Sequence, residues 1–168
     1  MDIRLYYQEK VLLHGNGEDG SYFRHQMEYF SPQYRVLAVD TRGHGQSPRG
    51  TAPFTMSQFA QDLKTLLDEL EINAPILLGF SDGANIAMKF ALQYPERLTA
   101  LILNGGNLHP QGIKRRVQLP IELGYRAVRL FAGRSQEARR NMEILGLMVH
   151  EPNLKPQELS AIQAPTLV

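Results

Sequence analysis

A serine lies between two glycines in the segment Gly79-Phe80-Ser81-Asp82-Gly83, with an apolar run before it and a helical pattern after it. This spacing is the G-x-S-x-G pattern of a nucleophilic serine on a tight strand-to-helix turn. The glycines leave space where side chains would collide, and the next helix directs its N-terminal amides towards developing negative charge. The segment therefore predicts that Ser81 is a nucleophile.

A second glycine-containing segment, HGNG at residues 14–17, directly follows the apolar run at residues 11–13. Glycines after a strand allow main-chain amides to point into a cavity. We expect the amides of Asn16 and Asp82 to bind an oxyanion together, a role in which one donor contributes roughly 10²–10³ in rate. We interpret His14 as a buried histidine that shapes this loop rather than as a base.

A third polar segment, DTRGHGQS, covers residues 40–47. Asp40 ends an apolar run, so its carboxylate can accept hydrogen bonds from the loop that follows. No spacing of a nucleophile and a base is apparent here. We therefore interpret the segment as a structural loop and His44 as non-catalytic.

Short apolar runs alternate with helical patterns along most of the chain. Because the runs are apolar throughout rather than alternating, they predict a parallel sheet covered by helices on both faces, an α/β fold. The predicted strands cover residues 11–15, 34–40, 74–80, 98–104 and 164–168.

This alternation ends after residue 108. Residues 109–158 have helical patterns without a strand, which predicts a helical lid inserted between a core of residues 1–108 and a further core strand beginning within residues 159–168. Pro120 and Gly124 are expected to interrupt the first lid helix. Glu122, Glu137 and Glu143 are expected on solvated faces.

The composition excludes several classes of function. The 168-residue chain has a net charge of +1 and no cysteine, so it gives no reason to expect a nucleic-acid partner, disulfides or thiolate chemistry. No apolar run approaches the roughly 20 residues that span a bilayer, and the N-terminus is not a signal peptide. We expect a cytoplasmic protein without a membrane partner, metal or organic cofactor, and we interpret the basic cluster at residues 114–116 as a solvated helix face.

Together, HGNG, DTRGHGQS and GFSDGAN resemble the α/β-hydrolase superfamily, in a serine hydrolase branch, and YPERLTALILNGGN is also typical of it. The resemblance covers residues 6–168. It implies the α/β-hydrolase fold, with a mostly parallel sheet, helices on both faces and a lid above the serine. It makes Ser81 the nucleophile and assigns the oxyanion hole to Asn16 and Asp82. His109, near the expected cleft mouth, is a candidate substrate contact.

Members of the family use a catalytic triad whose residues follow in the chain order Ser, acid, His. This chain matches the serine but departs from the pattern in the acid and the histidine. No aspartate follows Asp82, and the only histidines after Ser81 are His109 and His150. The resemblance implies that the acid and the base follow the strand at residues 164–168, so we expect the C-terminal strands to be missing and the chain to be inactive as it stands. The usual glycine-rich turn between YYQE at residues 6–9 and KVLLHG at residues 10–15 is also missing or very short.

The resulting hypothesis is an esterase-like serine hydrolase that cleaves a small acyl substrate through an acyl-enzyme on Ser81. A non-catalytic or degenerate binding protein is one alternative. A perhydrolase, a haloperoxidase-like enzyme or a C–C bond hydrolase on the same fold is another. Association into a homo-oligomer, or through an exposed sheet edge, stays open.

Overall fold

The protein contains one parallel sheet in a computed structural model that describes residues 9–168. Its five strands lie in the order β2-β1-β3-β4-β5, and every neighbouring pair is parallel. This confirms the predicted α/β class. The strands are β1 (Glu9–Leu13), β2 (Arg35–Val39), β3 (Ile76–Phe80), β4 (Ala100–Asn104) and β5 (Thr166–Leu167).

The helices lie where the 3.6-residue periodicity predicts them. Thr55 caps the most regular one by accepting a hydrogen bond from the Gln58 amide. The helices are α1 (Arg24–Phe30), α2 (Met56–Glu69), α3 (Asp82–Gln93), α4 (Arg115–Phe131) and α5 (Gln136–His150).

The main core lies between one face of the sheet and helices α2 and α3. Alternate strand residues point to this face, so Leu13, Leu77 and Leu101 are fully buried there. Phe59 of α2 and Phe90 of α3 complete the packing. The core therefore fixes α3, and with it the turn between β3 and α3, relative to the carboxyl ends of the strands.

Helices α4 and α5 form an antiparallel pair in the region predicted as a lid. Gln118 Nε2 donates to the Met148 carbonyl at 3.2 Å, and the rings of Tyr125 and His150 meet edge to face. Leu147 of α5 reaches into the main core. The division of the chain into a core and a lid domain stays a prediction.

The expected interruptions of α4 at Pro120 and Gly124 were wrong, because α4 runs unbroken from Arg115 to Phe131. Pro120 lacks the amide that would bond to the Arg116 carbonyl. Both residues are exposed, so water can satisfy that carbonyl at little cost.

None of the helices between residues 9 and 168 is both long and apolar enough to cross a membrane. The turn that the sequence lacks between residues 6–9 and 10–15 falls partly outside the described residues, and β1 runs through Glu9 and Lys10 without a turn.

Candidate active site

Ser81 connects β3 to α3 in a backbone conformation that few residues adopt. Its φ is 52° and its ψ is −119°. Positive φ in a non-glycine residue costs about 1–3 kcal/mol and persists only where neighbouring contacts impose it. Here the Ser81 amide donates to the Asn104 carbonyl at 2.8 Å, and the Ser81 carbonyl accepts from the Ala84 amide at 2.9 Å. The sharp turn expected from G-x-S-x-G is therefore present.

The glycines on either side of Ser81 are required by close backbone contacts. A Cβ on Gly79 would lie 2.3 Å from the Gly83 carbonyl oxygen, and one on Gly83 would lie 2.0 Å from the Leu13 carbonyl oxygen. Any side chain at either position would push β1, β3 and α3 apart. These contacts give the steric reason for the spacing seen in the sequence.

Asn16 and Asp82 meet beside this turn. Asn16 Nδ2 donates to Asp82 Oδ2 at 2.8 Å, which ties the loop after β1 to the first residue of α3. Among residues 9–168, neither the Asn16 amide nor the Asp82 amide has a hydrogen-bond acceptor. Two free backbone donors on adjoining loops match the arrangement predicted for an oxyanion hole, and their assignment to that role stays a prediction.

Asp82 is the centre of a buried polar network that the sequence analysis missed. Asn85 Nδ2 donates to Asp82 Oδ1 at 3.3 Å and to Asn107 Oδ1 at 3.0 Å, and the Asn107 amide donates back to Asn85 Oδ1 at 2.9 Å. Burial raises the pKa of Asp82, and the hydrogen bonds from Asn16 and Asn85 counteract part of that rise. The i, i+3 spacing of Asp82 and Asn85 was the available signal.

The helix pair is joined to the site through α5. Asn16 Nδ2 also donates to the Ile144 carbonyl at 3.0 Å. The adjacent Glu143 forms a bidentate ion pair with Arg49, at 2.6 and 2.7 Å. The expectation that Glu143 faces solvent was therefore wrong, because Arg49 of the 40–50 loop reaches it and holds it half-buried.

His14 and His44 serve the loops, as expected. The Thr41 amide donates to His14 Nε2 at 3.0 Å, so Nδ1 carries the proton and donates to the Gly15 carbonyl at 2.7 Å. His44 is also buried, and burial lowers its pKa. Asp40 accepts from the amides of Gly20 and Gln46, which confirms that its carboxylate organises the loop.

No base contacts the serine hydroxyl in the described part of the chain. Ser81 Oγ has no hydrogen-bond partner among residues 9–168. His109 is half-buried at the start of a short 3₁₀ turn, and its carbonyl accepts from Asn107 Nδ2 at 2.7 Å. His150 is exposed at the end of α5. Residues 9–168 contain no group of three or more His, Asp or Glu side chains arranged to hold a metal ion.

The parallel sheet, the strained serine turn and the two glycine contacts define an α/β-hydrolase architecture. A family model described as alpha/beta hydrolase fold matches residues 11–139. Because this match covers more than half of the chain, the chain belongs to the α/β-hydrolase family.

Several curated relatives of this chain are hydrolases, and they are of different kinds. Epoxide hydrolase 3 of Siraitia grosvenorii is 40% identical over 119 residues, which are 69% of this chain and 36% of the relative. The 2-hydroxy-6-oxononadienedioate/2-hydroxy-6-oxononatrienedioate hydrolase of Paraburkholderia phymatum is 31% identical over 94% of this chain and 58% of the relative. The chain thus spans between about a third and three fifths of the length of these two relatives.

A solved structure gives the same fold. The enol-lactonase from Burkholderia xenovorans LB400 superposes with a TM-score of 0.74 at 21% identity, covering 96% of this chain and 72% of the enol-lactonase chain. At this identity the likeness concerns the fold.

Proposed function

We propose that this protein is a serine hydrolase whose nucleophile is Ser81 and whose substrates are small acyl compounds of the ester type. The observation that carries the proposal is the positive φ of Ser81 at the end of β3, immediately before α3. Strain of this kind is concentrated at functional sites. A serine that only connected a strand to a helix would have no need of it.

In the proposed reaction, Ser81 Oγ attacks the acyl carbonyl and the carbonyl oxygen becomes an oxyanion. The amides of Asn16 and Asp82 donate to that oxyanion, and the positive end of the α3 dipole adds to the stabilisation. The alcohol leaves and an acyl-serine forms. Water then releases the acid and restores Ser81.

This mechanism needs a base that removes the Ser81 proton, and none contacts Oγ among residues 9–168. Without its base, a serine enzyme of this kind keeps a residual rate of roughly 10³–10⁴ over water from the oxyanion hole and binding. We therefore expect this 168-residue chain to bind acyl compounds and to react with them slowly. The activity and substrates of a longer protein belong to the same proposal.

A C–C bond hydrolase is the second candidate. It is favoured by the Paraburkholderia phymatum relative, which matches 94% of this chain, whereas the epoxide hydrolase relative matches 69%. The substrate in the name of that relative carries two carboxylates. A C–C hydrolase would cleave a keto acid faster than an aryl ester of similar size.

The test is covalent labelling with a fluorophosphonate, followed by intact mass measurement. The parent chain, Ser81→Ala and an exposed serine variant, Ser21→Ala, are compared at equal concentration. We expect one adduct on the parent and on Ser21→Ala, and none on Ser81→Ala. Hydrolysis of p-nitrophenyl acetate and of an aryl diketo acid by the same three proteins separates an esterase from a C–C hydrolase.

An adduct of equal yield on Ser81→Ala would mean that another side chain reacts with the probe, and would reject Ser81 as the nucleophile. A folded parent that binds acyl compounds but forms no adduct over hours would show that Ser81 is not activated within this chain, and would overturn the expected slow reaction.

A further inference from the structure

Helix α4 has two apolar faces, and only one of them is packed. The packed face includes Gln118 and Tyr125, which contact α5. The opposite face carries Leu119, Leu123 and Leu130, which are 42%, 55% and 76% exposed. A helix that is apolar on both sides normally buries both of them. The outer face of α4 therefore requires an explanation.

The exposed leucines form a continuous stripe. At about 100° per residue, Leu119, Leu123 and Leu130 fall within an arc of about 40°. Ala127 and Phe131 extend the same face, and Phe131 is 51% exposed. This stripe (Leu119, Leu123, Ala127, Leu130 and Phe131) is called the α4 stripe below.

Positive charge runs beside the α4 stripe. Residues 114–134 contain six basic side chains and one acidic one, Glu122, so the segment carries 6 − 1 = +5. Arg115, Arg126 and Arg129 are exposed and lie on one flank, about 60–120° from Leu123 by helical geometry, together with the half-buried Glu122. The chain as a whole has a net charge of only +1, so the charge is concentrated here.

We infer that the outer face of α4 binds the surface of an anionic phospholipid bilayer, with the α4 stripe in the interface and the flanking arginines on the headgroup phosphates. An exposed apolar stripe flanked by basic residues is the pattern of a helix that lies in a membrane interface. This inference departs from the expectation of no membrane partner, which was drawn from the lack of a spanning segment and of a signal peptide; binding at the surface needs neither.

Charge argues against one other occupant, a second copy of the chain. An antiparallel two-fold contact between two α4 stripes would bring together two like flanks, each with three arginines and Glu122 and so a net charge of 3 − 1 = +2. Like charges at such a contact are unfavourable, whereas phosphate headgroups compensate them. The contact with lipid does not depend on the reaction of Ser81, so it goes beyond the proposed function and is tested separately from it.

The experiment is flotation of the 168-residue chain with phosphatidylcholine vesicles prepared with and without phosphatidylglycerol. The test variants are Leu123→Ser/Leu130→Ser and Arg126→Gln/Arg129→Gln. The matched controls are Tyr29→Ser and Arg24→Gln, exposed positions on α1. Ser81→Ala is included because its binding should equal that of the parent.

We expect binding to the anionic vesicles only, weakened at high salt. The leucine variant should bind at least about tenfold more weakly and the arginine variant roughly 30-fold more weakly. Circular dichroism and thermal melting check that both variants fold. Equal binding by parent and leucine variant, no binding to anionic vesicles, or a dimer of the parent that dissociates in the leucine variant would each overturn the inference.

Discussion

Asn16 and Asp82, the two residues whose backbone amides we expect to stabilise an oxyanion, are joined through their side chains by a 2.8 Å hydrogen bond from Asn16 Nδ2 to Asp82 Oδ2. The bond holds the loop after β1 against the first residue of α3, which lies 66 residues further along the chain. Asn16 Nδ2 also donates to the Ile144 carbonyl of α5. A movement of α5 would therefore change the distance between the two backbone amides.

Asn16→Ala removes this connection and leaves the buried Asp82 carboxylate with one donor fewer. We expect fluorophosphonate labelling of Ser81 to slow by about 10–100-fold and the free energy of unfolding to decrease by about 1–3 kcal/mol. Labelling kinetics and urea titration measure the two effects. Asn141→Ala, at an exposed position on α5, is the control and should change neither. Parent-like stability in Asn16→Ala would show that the side-chain bond holds nothing in place.

Gly83→Ala places a Cβ 2.0 Å from the Leu13 carbonyl oxygen, a contact with backbone on both sides. The strand and the helix must separate, so we expect a loss of more than about 3 kcal/mol in the free energy of unfolding, or a failure to fold. Gly133→Ala is the matched control, because nothing lies within 4 Å of its added Cβ. Thermal unfolding of both variants measures the difference, and similar melting temperatures for Gly83→Ala and Gly133→Ala would contradict the crowding at Gly83.

Ser81→Gly should relieve the backbone strain that Ser81→Ala retains. Both variants lack the hydroxyl, so both should lose labelling completely. We expect Ser81→Gly to be more stable than Ser81→Ala by about 1 kcal/mol, because relief of positive φ outweighs the larger entropy of glycine in the unfolded chain. Urea titration of the pair measures the difference. If the alanine variant were the more stable one, the strain at Ser81 would be negligible.

The ion pair between Arg49 and Glu143 attaches the 40–50 loop to α5, and the paired hydrogen bond raises the pKa of Arg49. A double-mutant cycle with Arg49→Gln and Glu143→Gln should give a coupling energy of about 1 kcal/mol, which decreases with added salt. The exposed pair of Arg24 and Glu28 within α1 provides the comparison, with about 0.3–0.5 kcal/mol expected. Equal coupling in the two pairs would mean that Arg49 does not hold α5.

His44 should make the protein less stable in acid, because burial lowers its pKa in the folded state. The unfolded chain binds a proton near pH 6.5, whereas the folded chain binds it only at lower pH. The free energy of unfolding is therefore not reduced by His44 above about pH 6.5. It falls as the pH decreases below this value, with a slope of up to about 1.4 kcal/mol per pH unit. His44→Gln should flatten this slope and His25→Gln, at an exposed position, should not. Urea titrations from pH 8 to pH 5 measure this slope. An unchanged slope in His44→Gln would mean that a different group takes up the proton on unfolding.

Much of the fold could be predicted because its signals are local. Uniformly apolar runs indicated parallel strands, and all five are present. The G-x-S-x-G spacing predicted a tight turn because the contacts of Gly79 and Gly83 follow from the turn itself. Pro120 was misjudged because the cost of a proline depends on whether the carbonyl it leaves unpaired reaches water, and the sequence does not show that exposure.

The amino-acid sequence by itself determined the order of strands and helices, the membership in the family and the place of Ser81, since each of these depends on residues a few positions apart. Only the tertiary structure decided that Asn16 reaches Ile144, 128 residues away, and that Arg49 reaches Glu143, 94 residues away. It also decided which apolar face of α4 is packed and which is exposed. Such contacts depend on how α4 and α5 pack against the sheet, and a periodic pattern gives the faces of a helix without giving its neighbours.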